Sequence, residues 1–174
     1  MHELDKYIRS IPDFPEPGII FRDITTVIQD PVGFRLAVDE MVKKLEGHEV
    51  DVIAGLESRG FVFGAAIAQR LGVGMVLVRK KGKLPCETIE QSYDLEYGKA
   101  TIEIHKDAIK EGQKVVIVDD LIATGGTFEA GVKLVEALGG KVEMLLSLIE
   151  LEGLNGRAKF EGYDVESVIK YAGK

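Results

Sequence analysis

The sequence is poor in several things, and each shortage excludes a class of protein. It has one cysteine, Cys86, so no disulfide can form within the chain, and this usage suits a reducing cytoplasm. The three histidines, His2, His48 and His105, lack zinc-site spacing, which argues against a structural or catalytic zinc. No apolar run approaches the roughly 18–20 residues of a membrane span. The N-terminus, Met1 to Lys6, lacks the basic-then-apolar order of a secretory signal. Positive charge is also short: 22 Lys and Arg against 29 Asp and Glu leave a net −7, which disfavours nucleic acid as a partner. A phosphate site here must be locally basic within an acidic protein.

What is present is a chain of 174 residues, 45% hydrophobic, enough for one domain with a substantial core. Strand and helix patterns alternate, which predicts an α/β fold with a largely parallel sheet of five strands flanked by helices. Residues 3–9 read as a short helix. Asp30-Pro31 is a helix start, and Phe34, Val38, Met41 and Leu45 then mark one helical face that Gly47 ends. Strands are expected at 50–55, 75–78, 114–118, 142–149 and 165–171, the last at an edge. Phe61 to Leu71 is apolar nearly all round and predicts a buried helix. Arg79 to Ser92 reads as a long loop, and loops of that length in compact domains are usually functional. Residues 93–97 and 100–105 alternate and predict strands antiparallel to the main sheet.

Residues 115–127, Val-Val-Ile-Val-Asp-Asp-Leu-Ile-Ala-Thr-Gly-Gly-Thr, carry the most chemistry. A buried strand ends in two carboxylates and runs through a small, glycine-rich turn into a helix. Ligands of open α/β sheets bind at the carboxyl ends of the strands. Free amides at a helix start, the helix dipole and the hydroxyls of Thr124 and Thr127 suit a phosphate held by Ala123-Thr124-Gly125-Gly126-Thr127. No Lys follows the glycines, so this is not a nucleoside-triphosphate loop. Asp119 and Asp120 would repel the anion unless they serve ribose hydroxyls or a magnesium ion. Glu57-Ser58-Arg59-Gly60 also ends a strand and opens a helix, a second place for an anion. Arg79-Lys80-Lys81-Gly82-Lys83 is the locally basic stretch that the acidic balance demands.

The 115–127 string resembles the phosphoribosyl-diphosphate motif of type I phosphoribosyltransferases. Three further segments, 14–24, 54–61 and 92–99, resemble the members that act on adenine. The resemblance covers about residues 7–150 and fades over the last twenty. It implies that adenine and phosphoribosyl diphosphate give AMP and diphosphate, with Mg²⁺ held by Asp119 and Asp120 mainly through the substrate. It implies a single domain over 1–174, with a hood over the base (about 1–30) and a flap over the diphosphate (about 84–99). Glu57, Ser58, Arg59 and Gly60 become the diphosphate loop, with a cis peptide between Glu57 and Ser58. Arg79, Lys83 and Tyr97 would join them, Lys83 across a homodimer. Asp119 and Asp120 would hold the ribose. Glu96 would be the catalytic acid–base at the purine, and Arg59 would stabilise the leaving group. Phe21 and Arg22 would hold adenine, with Leu121 on its other face. Glu57 stands where many members have Asp. Two alternatives have the same cosubstrate: a 6-oxopurine transferase, against which Phe21-Arg22-Asp23 argues, and a non-catalytic sensor of phosphoribosyl diphosphate, which would need a DNA-binding element.

Overall fold

The computed structural model describes residues 2–95 and 98–173. A 3₁₀ turn (Glu3–Tyr7) leads into a small antiparallel pair, β1 (Arg9–Pro12) and β2 (Ile20–Asp23). The helices are α1 (Thr25–Gln29), α2 (Pro31–Lys43), α3 (Arg59–Leu71) and α4 (Gly126–Ala137). The main sheet comprises β3 (Val52–Leu56), β4 (Gly74–Lys80), β5 (Thr88–Asp94), β6 (Lys99–His105), β7 (Lys114–Ile122), β8 (Lys141–Leu151) and β9 (Val165–Tyr171). Its order is β5-β6-β4-β3-β7-β8-β9. The five strands from β4 to β9 in that order are parallel, as expected, and the antiparallel hairpin β5–β6 extends the sheet to seven.

The core follows from β7. Val116 and Val118 enter one apolar cluster, with Phe63 and Ile67 of α3 and Met41 of α2. Val115 and Ile117 enter the other, with Phe128, Val132 and Val135 of α4. An aliphatic run therefore fits a strand covered on both faces. The start of α2 is also as expected: Pro31 occupies its first turn, and the Asp30 carboxylate accepts from Val32 and Gly33 N–H, both at 2.8 Å.

Three expectations need correction. α3 is not buried all round: Phe63, Gly64, Ile67 and Ala68 face the core, while Val62, Ala65 and Gln69 are less enclosed. Its alanines and glycines blur the polar side. The loop expected over 79–92 is shorter, because β4 runs to Lys80 and β5 begins at Thr88. Buried Glu103 explains the tight connection, accepting N–H bonds from Lys83 (3.0 Å) and Leu84 (2.9 Å). The helix expected over 3–9 stops at Tyr7, and Arg9 opens β1 instead, held across the pair by two bonds to Asp23 (3.0 and 2.6 Å).

Candidate active site

β3 and β7 are parallel neighbours from Val52–Val115 to Gly55–Val118, so both exit at the same edge of the sheet, β7 running on to Ile122. Each exit turns directly into a helix, α3 or α4, and no side chain caps either helix. Two sets of free helical amides therefore open on one cleft of roughly 430 Å³. The peptide between Glu57 and Ser58 is cis, as expected. Gly60 lies so close to β7 that a Cβ there would stand 2.6 Å from Val118 O and 3.0 Å from Asp119 Oδ1. Gly125 takes φ +82° at the mouth of α4, a conformation that favours glycine.

Charge in the cleft is arranged in pairs. Arg59 Nε lies 2.8 Å from Asp120 Oδ2, and the Asp120 side chain is 6% exposed. Asp119 Oδ1 accepts from Asp120 N–H at 2.8 Å. Burial, and next the Asp120 carboxylate, hold the Asp119 carboxyl well above the usual range. Glu57 is also paired: its Oε2 accepts Lys80 N–H at 2.6 Å and lies 3.4 Å from Arg79 Nε.

The structure brings most of the named residues together. Glu57, Ser58 and Arg59 line one side of the cleft; Asp119, Asp120 and Leu121 line its floor; Ala123 to Thr127 line the other side. Gly60 supports the floor from behind. Arg79 and Lys83 are not among the lining residues; Arg79 Nη1 reaches back 3.4 Å to Lys83 O. Lys80 lines the cleft instead. Sequence reasoning misses it by ending β4 at Val78. An extended strand puts Lys80 on the same face as buried Val78 and opposite Arg79. Tyr93 of β5 is also missed; its ring lies 3.1 Å from where a Cβ on Gly126 would be. Glu96 and Tyr97 lie outside the described residues.

Phe21 and Arg22 sit on β2, away from this lining. Phe21 packs edge-on to Phe14, with centroids 5.3 Å apart. The Arg22 guanidinium lies 3.9 Å over the ring of Tyr171 in β9, and its Nη1 donates to Ser10 Oγ at 2.5 Å. Leu121 and Ala123 pack against the same apolar cluster as Ile8 and Ile24, which flank β1 and β2 in the chain, and Val27 of α1.

Two uncapped helix starts with a carboxylate pair between them thus share one cleft. The phosphoribosyl transferase domain model matches residues 28–165, and the chain belongs to that family. Its relatives narrow the branch. It is 66% identical over 174 residues to the adenine phosphoribosyltransferase of Butyrivibrio fibrisolvens, covering 100% of this chain and 96% of the relative. The crystal structure of adenine phosphoribosyltransferase from Thermoanaerobacter pseudethanolicus superposes with a TM-score of 0.94 at 56% identity, over 97% of this chain and 98% of that one. The Saccharomyces cerevisiae enzyme, complexed with an imino-altritol bisphosphate and adenine, superposes with a TM-score of 0.90 at 40% identity, over 95% and 96%.

Proposed function

We infer that this chain transfers the 5-phosphoribosyl group from phosphoribosyl diphosphate to adenine, giving AMP and diphosphate, a purine-salvage reaction. The observation that carries the reading is the pair of uncapped helix starts on neighbouring strands, flanking Asp119 and Asp120. The Thr124–Thr127 turn takes the 5′-phosphate, the Glu57–Gly60 turn takes the diphosphate, and the carboxyl pair takes the ribose hydroxyls between them.

The reaction forms a bond from the ribose anomeric carbon to adenine N9 and breaks the bond to diphosphate. Positive charge develops on the sugar and negative charge on the leaving group. Arg59, held by Asp120, and Lys80 supply positive charge at the diphosphate end, together with the amides of α3. Arg79 and Lys83 remain candidates for the same end. Lys83 and Tyr97 carry roles drawn from the family resemblance, Lys83 across a dimer. Glu96 exchanges a proton at adenine N7 and so tunes N9 as nucleophile. Covering the cleft with the β5–β6 hairpin keeps water from the sugar centre.

The base is selected at β2. Pro12 has no N–H to give, which favours a non-hydrogen-bonded position for the Pro12–Ile20 pair and, by alternation, for Ser10–Arg22. The backbone groups of Ile20 and Arg22 then point off the free edge of β2, where an acceptor can meet the adenine amino group and a donor can meet N1. A 6-oxopurine reverses both requirements. Phe21 and Leu121 cover the two faces of the ring.

The donor set fits a magnesium ion that travels with the substrate. Among the described residues no three metal-ligating side chains converge, and Asp120 is already committed to Arg59. Asp119 and Asp120 would hold the ion mainly through the ribose hydroxyls. When bound, the ion neutralises the diphosphate.

A second copy of the chain is the proposed partner. Val62 and Leu77 are 36% and 42% exposed, and Leu77 is the register partner of Gly55, over which Phe61 and Met75 close. No helix among the described residues is long and apolar enough to cross a membrane; the single cysteine supports a cytoplasmic setting.

The test is direct. With phosphoribosyl diphosphate and Mg²⁺, adenine should yield AMP and diphosphate, and hypoxanthine should give a specificity constant lower by several powers of ten. Preference for hypoxanthine would overturn the base assignment. Tight binding without diphosphate release would support a sensor instead.

A further inference from the structure

The last part of the chain carries no motif, yet it forms the wall behind the phosphate turn. A Cβ on Gly156 would collide with Ala123 O and stand 2.9 Å from both Gly125 N and Thr124 C. A Cβ on Gly125 would stand 2.9 Å from Gly156 O and 3.1 Å from the Phe160 ring. The two backbones touch with no side chain between them. Phe160 is buried and packs edge-on against Phe128 in the first turn of α4, with centroids 6.4 Å apart. Residues 156–160 therefore contact the turn at Ala123–Gly125 and reach the helix that follows it.

This wall is itself fastened. Arg157 Nε and Nη2 donate to the two oxygens of Glu150 at 2.8 and 2.5 Å, and its Nη1 donates to Val165 O. Ser167 Oγ donates to Glu150 Oε2 at 2.6 Å. Glu150 is 4% exposed and stands in β8 directly beside Ile122, the residue before the phosphate turn begins. The clamp thus ties residue 157 to the point where β7 releases the chain into the turn. Neither Gly156 nor Arg157 lines the cleft, so any influence on the ligand runs through the turn.

We propose that Gly156, held by the Glu150–Arg157–Ser167 clamp, is a positioning residue that fixes the Ala123–Gly126 turn in its phosphate-accepting shape. Its loss would weaken recognition of the 5′-phosphate and leave recognition of adenine intact. The inference rests on the reading that this turn holds the 5′-phosphate, and its test separates the two.

The experiment measures KM for phosphoribosyl diphosphate and for adenine, and calorimetric Kd for AMP and for adenine, in Gly156→Ala, Arg157→Met, Arg157→Lys and Thr127→Ala. Gly156→Ala should raise the KM for phosphoribosyl diphosphate and the Kd for AMP about tenfold. Adenine values should stay within about twofold. Arg157→Met should shift the same constants in the same direction by less, and Arg157→Lys should recover part of the loss. A merely structural role would lower Tm and the active fraction while leaving both KM values in place, and that result overturns the proposal. Arg157→Met carries the test alone if Gly156→Ala does not fold. Thr127→Ala reports on the turn itself. If it leaves the KM for phosphoribosyl diphosphate unchanged, the phosphate assignment falls and the inference falls with it. If it raises that KM while Gly156→Ala and Arg157→Met do not, only the inference falls.

Discussion

The β3–β7 cleft and the β1–β2 pair, its proposed base-binding end, are built by different means. The β3–β7 end is backbone: strand exits, free amides, glycines at close approach, and helices that start without side-chain caps. The β1–β2 end is held by side chains: Arg9 to Asp23, Asp23 to Thr25, Arg22 over Tyr171, and Tyr171 OH to Asp5 at 2.9 Å. On the proposed assignment, the difference follows from the ligands. A phosphate is recognised by many amides in fixed array, which a sheet supplies. A purine edge is recognised by two or three groups on one strand, and that strand must be set at the right height by its neighbours.

Four measurements would sharpen or break this contrast. The largest effect is expected from Glu96→Gln, which should lower kcat by about 10²–10⁴ while the Kd for phosphoribosyl diphosphate changes little. Equal losses in both would make the residue part of the cosubstrate site. Next comes Gly125→Ala, which forces an L side chain to φ +82° against Gly156 O. It should raise the KM for phosphoribosyl diphosphate by about 10–10² and leave that for adenine in place; a matching rise for adenine would show that the two ends are not separable.

Acid stability offers a third comparison, because one carboxylate at each end is held at about 2. Thr25, with Arg9 assisting, does this for Asp23; Arg157, with Ser167 assisting, does it for Glu150. A folded-state pKa below the unfolded one stabilises above the ordinary carboxylate range, and that stabilisation is lost as pH falls towards 2. Asp23→Asn and Glu150→Gln should each remove about 1–2 kcal/mol of the pH-dependent stability between about pH 5 and pH 2. Chemical denaturation across that range, with unchanged slopes in either variant, would refute the assignment for that end. The smallest effect is expected from Tyr171→Leu, which removes the ring beneath Arg22 and should raise the KM for adenine about threefold with phosphoribosyl diphosphate unaffected. An unchanged adenine KM would detach β9 from base recognition.

The same contrast governs what is legible in the sequence. The backbone-built end needs glycine, threonine and aspartate at fixed offsets, so Asp119 to Thr127 and Glu57 to Gly60 stand out as anion sites from residue order alone. The α/β class and the five parallel strands are legible from aliphatic runs with single, clear surroundings. β1 and β2 are not, since four-residue strands with half-exposed side chains have no period to detect, and their pairing depends on Arg9 meeting Asp23 fourteen residues away. Lys80 is hidden by a strand end misplaced by two residues, which is enough to reverse which basic side chain faces the cleft. Gly156 gives no signal at all; its meaning lies in Ala123 O, more than thirty residues earlier in the chain.

β3 leaves its pairing with β7 at Gly55–Val118 while β7 runs on to Ile122, so the two exits are offset by about 4.7–4.9 Å across the sheet and by roughly 10 Å along it. That interval is a ruler made of peptide geometry, and no side-chain substitution can recalibrate it. On the proposed assignment, the two anionic ends of the ligand are as far apart as a furanose ring with one substituent on each side.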